Sequence, residues 1–372
     1  MNLRIAPLPA VIVAIFTVGL SWGMIIPVTS VILEARRIPT PIIGMTATAI
    51  FVGMAISASF VGRSIEYYGV KRTLFAGMFG SGVLMIALSF WTSISVWIAL
   101  RLIIGIAFGT ITTSCETLIN RMSTERNRGR NLGLYAFAFS LSLMIAPAAL
   151  WLLKFGVWLP FVTGGMVCLA ATWLVSTTIP HEQEEIPESS FDRHLIRRIT
   201  LSLTTNFMAG FMEGALITLI PVFTLRQSFT TAQTGLLLFA FMLGHGGCPP
   251  LIGVLADRLG LRRILSLVYG VGTIVFVVIL FFPPHMTISL LLIVAGASVG
   301  ALYPLAVGLI GEVLSSSELP RGNALTTFAY GIGSIAGPFI PSLIMHVTVP
   351  KSLFAVSAIL YIVVLAVMAV KS

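Results

Sequence analysis

Gly62-Arg63-Ser-Ile-Glu66-Tyr67-Tyr-Gly69-Val-Lys71-Arg72 and Gly253-Val-Leu-Ala-Asp257-Arg258-Leu-Gly260-Leu-Arg262-Arg263 are two copies of one pattern, set 191 residues apart. Each joins an acid, a turn glycine and a basic pair, and each is flanked by hydrophobic runs. Two short charged loops between apolar segments, duplicated at half-chain spacing, predict a chain built twice from one unit.

Working outward, the runs on either side are membrane helices. The chain is 57% apolar and 9% charged, with a mean hydropathy of +1.02. Soluble domains are about a quarter charged, so the solvent expected here is a bilayer. Apolar stretches fall near 9–33, 42–62, 73–92, 95–119, 131–152, 159–178, 199–223, 233–254, 263–282, 287–311, 322–345 and 352–370. Each is close to the ~20 residues that cross the hydrocarbon as a helix. Strands of a barrel would alternate polar and apolar residues, and these do not. The reading is an all-α membrane protein of twelve transmembrane helices. Residues 1–178 form an N-terminal six-helix bundle, 179–198 a cytoplasmic linker marked by Pro180, Pro187 and four glutamates, and 199–372 a C-terminal bundle.

The basic residues set the expected orientation. With both termini cytoplasmic, sixteen lie inside (Arg4, Arg63, Lys71, Arg72, Arg121, Arg126, Arg128, Arg130, Arg193, Arg197, Arg198, Arg258, Arg262, Arg263, Arg321, Lys371). Five lie outside (Arg36, Arg37, Lys154, Arg226, Lys351), and Arg101 falls within a helix. The net charge of +9 thus reports topology and excludes nucleic acid as the expected partner, because the charges are scattered over short loops. The first apolar run is too long for a signal peptide and is read as an uncleaved helix. Cys115, Cys168 and Cys248 sit in apolar spans without metal-ligand spacing and are read as buried small residues. No cofactor or metal is expected.

The offset of 191 extends past the loops. Gly19 and Gly23 fall on Gly210 and Gly214, Gly44 on Gly235, Gly105 and Gly109 on Gly296 and Gly300, and Arg130 on Arg321. Ser142-xxx-Ala146-Pro147 falls on Gly333-xxx-Gly337-Pro338. An even number of helices per repeat makes the halves parallel, an architecture of secondary transporters.

The paired loops resemble the signature of the major facilitator superfamily, and the likeness covers the whole chain. Arg101-x-x-x-Gly105 is similar to a second motif of that superfamily, with Ile104 standing where glutamine is frequent. Glu116, Asn127-Arg128-Gly129-Arg130, Leu302-Tyr303-Pro304, Gly333-Ser334 and Gly337-Pro338 resemble more narrowly the YcaD-like bacterial group, which has no agreed substrate. The resemblance implies the major facilitator fold, a bacterial inner-membrane location and a loop motif that latches the cytoplasmic gate.

Elementary physics supports such a latch. Glu66 and Asp257 stand near helix C-termini, the unfavourable end of the dipole for a carboxylate, so each calls for a partner. Gly69 and Gly260 permit tight turns, Gly62 and Gly253 are expected to allow close helix approach, and Lys71, Arg72, Arg258, Arg262 and Arg263 can pair with the acids or with headgroups.

Where the repeat fails, chemistry is expected. Under the offset Arg101 meets Leu292, Glu213 meets Trp22, His245 meets Met54 and Glu116 meets Val307. Ionisable groups in hydrocarbon cost roughly 2.5–3.5 kcal/mol each on insertion scales, so each is a candidate. Glu213, mid-helix, could exchange a proton. His245 titrates near neutrality in its ordinary form. Arg101 holds its charge and requires an acid, carbonyls or an anionic solute. Glu116 is expected to pair with Arg121. Helices 1, 4, 7 and 10, which in this fold line the central path, offer Ser21, Trp22, Thr110, Thr112, Thr113, Asn206, Thr218, Ser298 and Tyr303. That lining suits a small amphipathic or weakly anionic solute. The expected function is a proton-coupled secondary transporter, monomeric, with efflux slightly preferred. A uniporter or uptake symporter is the alternative, then a non-transporting receptor or assembly factor. No nucleophile–base pair or phosphate loop suggests an enzyme.

Overall fold

The computed structural model describes residues 7–124, 127–178, 193–281, 288–315 and 318–370. Arg4, Arg126 and Lys371 of the charge count, and 179–192 of the expected linker, lie outside them. Among the described residues, twelve helices are long and apolar enough to cross a membrane. They are α1 (Leu8–Ala35), α2 (Thr40–Ala58), α3 (Val70–Ala87), α4 (Ile94–Met122), α5 (Arg130–Leu152), α6 (Leu159–Thr178), α7 (Thr200–Arg226), α8 (Thr231–Leu259), α9 (Leu261–Phe281), α10 (Ile288–Val313), α11 (Arg321–Val347) and α12 (Ser352–Ala369). The expected spans recur in order, with three local departures.

The run expected at 42–62 ends at Ala58, and the charged pattern forms its own short helix, Val61–Tyr68. α5 is interrupted by a 3-10 turn at Ala146–Ala148, where Pro147 lacks the N–H that an α-helix needs. α8 opens on a capping box, with the Gln233 amide donating to Thr230 Oγ1 at 3.3 Å and the Thr230 amide to Gln233 Oε1 at 2.8 Å. It is broken at Cys248, just ahead of Pro249 and Pro250. A further short helix, Arg193–Arg198, occupies the end of the expected linker.

The chain folds into two compact units. One comprises Met1–Thr29 and Ala49–Pro187, the other Ser30–Thr48 and Glu188–Ser372. The segment Ser30–Thr48 joins the second unit through its own contacts there. Glu34 accepts a two-pronged ion pair from Arg226, with Nε–Oε1 at 2.7 Å and a second N–O contact at 3.0 Å. Arg226 also donates to Thr40 Oγ1 at 2.8 Å, and Thr48 Oγ1 donates to the Ile335 carbonyl at 3.0 Å.

Within each unit the duplicated small residues make equivalent packing contacts. Gly19 and Gly23 of α1 lie against Ser142 and Ala146 of α5, as Gly210 and Gly214 of α7 lie against Ser334 and Pro338 of α11. Gly105 and Gly109 of α4 press on the α2 backbone at Ile50 and on Ser57. Gly296 and Gly300 of α10 press likewise on α8 at Phe241 and His245. One further pair emerges at the same offset: Gly53 on α2 faces Leu102 and Gly105, and Gly244 on α8 faces Ile293 and Ala297. Helix backbones that touch gain dispersion contacts where the lipid offers no hydrophobic drive between helices, so small residues hold these seams.

Candidate functional site

The second unit brings together polar side chains from three helices around Glu213 of α7, its most buried span. Glu213 sits mid-way along α7 and is 6% exposed. Gly210 and Gly214 bracket it and admit α11 to backbone distance: a Cβ on Gly214 would lie 3.0 Å from the Pro338 ring. That approach delivers the Tyr330 hydroxyl, which donates to Glu213 Oε2 at 2.7 Å. From α8, His245 Nε2 stands 3.6 Å from the same oxygen. Its position is fixed by Gly300, which packs on the His245 backbone, and by Phe241, whose ring lies 6.0 Å from the imidazole. The Tyr303 ring of α10 meets the Tyr330 ring edge-on at 5.6 Å. Tyr303 is 43% exposed, so the cluster runs from a sealed carboxylate to an accessible aromatic.

The same position in the first unit is apolar. Shifted by 191, Glu213, His245 and Tyr330 become Trp22, Met54 and Phe139. There Trp22 stacks on Phe139 at 5.7 Å and meets Phe51 edge-on at 6.0 Å. One packing site in the repeat thus holds an aromatic stack in one unit and a carboxylate–imidazole–phenol group in the other. Such a group costs desolvation that the stack avoids, and it carries two side chains whose charge can change.

Of the sequence-predicted residues, Glu213 and His245 are brought together. Tyr330 was not anticipated, because a phenol beside Thr326 and Thr327 carries no charge to mark it. Its offset partner Phe139 was the available signal. Arg101 belongs to the first unit, where it is 1% exposed on α4. Glu116 is exposed and makes no ion pair among the described residues. The expected pairing with Arg121 fails on geometry, since a separation of five places the two about 140° apart around the helix.

The cavity candidates divide. Ser21 is sealed and hydrogen-bonded to Cys168 at 3.1 Å, so it braces α1 on α6 instead of lining a path. Asn206, Thr218 and Ser298 are likewise buried within the second unit, and Trp22 is held in its stack. Thr112 and Thr113 are half-buried, with the Thr112 hydroxyl donating to the Phe108 and Gly109 carbonyls at 3.1 Å each. Cys115 and Cys168 are buried as expected, whereas Cys248 is half-buried at the α8 break.

The duplicated loops keep their turns. Gly69 has φ 80° and Gly260 φ 93°, and their amides donate to Ile65 and Ala256 at 2.9 and 2.8 Å. Side chains other than glycine rarely adopt that backbone. Gly253 departs from expectation: a Cβ there would meet nothing within 4 Å, so it lies on an open helix face and mediates no close approach. Glu66 is half-buried, while Asp257 is exposed and makes no ion pair among the described residues.

Twelve membrane helices in two like-built units, with an ionisable cluster buried in one of them, define a multi-pass membrane protein, and its family match makes it a secondary transporter of small molecules and not an enzyme. The Major Facilitator Superfamily profile matches residues 11–204 and 202–371, and the chain belongs to that superfamily. It is similar to the MFS-type transporter YfkF of Bacillus subtilis (strain 168), 31% identical over 332 residues spanning 86% of this chain and 84% of that one. It is also similar to YcaD of Salmonella enteritidis PT4 (strain P125109), 27% identical over 335 residues, or 84% of this chain and 82% of YcaD. In fold it matches the crystal structure of the nucleoside transporter NupG with a TM-score of 0.79 at 10% identity, covering 98% of this chain and 99% of NupG.

Proposed function

We propose that this transporter moves a small organic solute by alternating access, with proton movement coupled through Glu213, His245 and Tyr330. The observation that carries the reading is the asymmetric repeat: a carboxylate 3.6 Å from an imidazole stands where the first unit has Trp22 and Met54. A pair of titratable groups sharing one site can take up and release a proton without leaving an isolated charge in hydrocarbon. The half-exposed Tyr303 beside the cluster supports an amphipathic solute. Efflux is slightly preferred as the direction, on the small-xxx-small-Pro element Ser142-xxx-Ala146-Pro147 of α5.

In this reading the protein is a monomer in a bacterial inner membrane, with both termini and the 179–198 linker cytoplasmic. The loops holding Glu66 and Asp257 latch the inner gate, using Arg63, Lys71, Arg72, Arg258, Arg262 and Arg263 as partners. The test begins with a ligand-stabilisation screen of purified protein, in which nucleosides join other small amphipaths because NupG shares the fold. Flux of the hit is then followed in proteoliposomes with an imposed pH gradient. Accumulation that follows the gradient supports the proposal. Flux indifferent to the gradient supports a uniporter, and absent flux a receptor or assembly role.

A further inference from the structure

A cleft of about 480 Å³ lies in the second unit where the short helix Arg193–Arg198 and the first turns of α7 and α9 meet the last turns of α12. It is lined by the basic residues Arg197, Arg198 and Arg262 and by apolar residues of α12 that include Val364 and Met368. The basic lining is built into the fold. Leu195 and Ile199 are buried with Ile310 and Leu314, which docks the short helix on the α10–α11 turn. Arg198 is held by Glu318 Oε1 at 2.6 Å and by the Val313 carbonyl at 2.6 Å. Glu318 in turn accepts from the Ser315 amide at 3.0 Å and its hydroxyl at 2.9 Å.

Arg197 and Arg262 are left as exposed cations with no acidic partner among the described residues. Two guanidiniums over one cleft match a phosphodiester, which accepts paired N–H donors. The apolar lining adds what a free anion does not need. Val367 is 46% exposed beside the arginines, offering apolar surface to an acyl chain. The cleft also lies at one end of the spans, where a leaflet surface falls for a chain of twelve membrane helices.

We infer that this cleft binds an anionic phospholipid, its headgroup phosphate between Arg197 and Arg262 and its acyl chain along α12. The inference rests on the chain spanning a bilayer and not on proton coupling, so either can fail alone.

Native mass spectrometry of the full-length protein, titrated with phosphatidylglycerol, phosphatidylcholine or inorganic phosphate, tests it. Wild type is expected to hold phosphatidylglycerol at least about tenfold more tightly than phosphatidylcholine. The Arg197→Gln/Arg262→Gln double variant is expected to lose roughly 30-fold in phosphatidylglycerol affinity, with phosphatidylcholine unchanged, as two near-surface cations are removed. Each single variant is expected to lose roughly fivefold, so the result stands even where the double variant folds poorly. A control pair, Arg36→Gln/Arg37→Gln, is expected to bind like wild type. Equal binding of phosphatidylglycerol by wild type and the arginine variants would overturn the inference. So would equal affinity for the two lipids, or displacement of phosphatidylglycerol by millimolar phosphate.

Discussion

Replacing Tyr330 with phenylalanine removes one atom from the cluster, the hydroxyl that donates to Glu213 Oε2 at 2.7 Å. The energetic consequence depends on what the oxygen is. Hydrogen bonds between neutral groups on membrane helices average about 0.6 kcal/mol by double-mutant cycles. Hydrogen bonds to a charged group contribute about 1.5–3 kcal/mol. His245 Nε2 lies 3.6 Å from the same oxygen in a site 6% exposed, so the larger figure is the one expected where the two side chains form an ion pair. The assay is a double-mutant cycle of Tyr330→Phe with Glu213→Met, which keeps the side-chain length but removes the acceptor. Unfolding free energies come from detergent titration, and no knowledge of the solute is required. Coupling of about 1.5 kcal/mol or more is expected. Coupling near 0.6 kcal/mol or less would refute the charge-assisted contact and leave Glu213 as a neutral acid holding two helices together.

Other outcomes follow from separate parts of the molecule. Gly69→Ala and Gly260→Ala force a side chain into φ 80° and 93° and are expected to destabilise by about 1–3 kcal/mol each in thermal unfolding. Gly253→Ala, whose Cβ meets nothing, is expected to leave stability unchanged or slightly raised. Gly300→Val drives a branched side chain into the His245 backbone at the α8–α10 seam and is expected to lower the unfolding midpoint clearly, with flux lost alongside. Glu318 has its carboxyl lowered from the usual range to about 2, by the Ser315 amide and hydroxyl first and Arg198 next. A depressed folded value stabilises above the unfolded value of 4.5 and is lost as pH falls towards 2. Wild type is therefore expected to exceed Glu318→Gln in melting temperature at pH 5–7, with the difference gone near pH 2. A constant difference across that range would argue against the Ser315 and Arg198 contacts.

The fold was legible because hydrocarbon imposes few solutions and because the repeat could be read as a register. Gly19 with Gly23 and Gly105 with Gly109 recur at the offset for the reason the structure displays: they are the seams on which α1 meets α5 and α2 meets α4. The site was legible in part. Glu213 and His245 stood out as departures from the repeat, but 32 positions of sequence separate them. Only the approach of α8 to α7 makes them neighbours. Tyr330 was hidden because a phenol is unremarkable in such a helix until its acceptor is known. Residues read from a motif or an average lining fared worse. Gly253 faces open space, Glu116 points away from Arg121's side of α4, and Ser21 turns into the α6 contact. Position in a motif sets none of these, whereas the angle around the helix does.

If Glu213 carries the coupled proton, transport by the Glu213→Gln variant must lose its response to a pH gradient. With the solute from the stabilisation screen, proteoliposomes are assayed twice, under an imposed pH gradient and in solute exchange without one. Glu213→Gln is expected to lose gradient-driven accumulation while exchange remains within a fewfold of wild type. Accumulation by Glu213→Gln equal to that of wild type would contradict that role for Glu213.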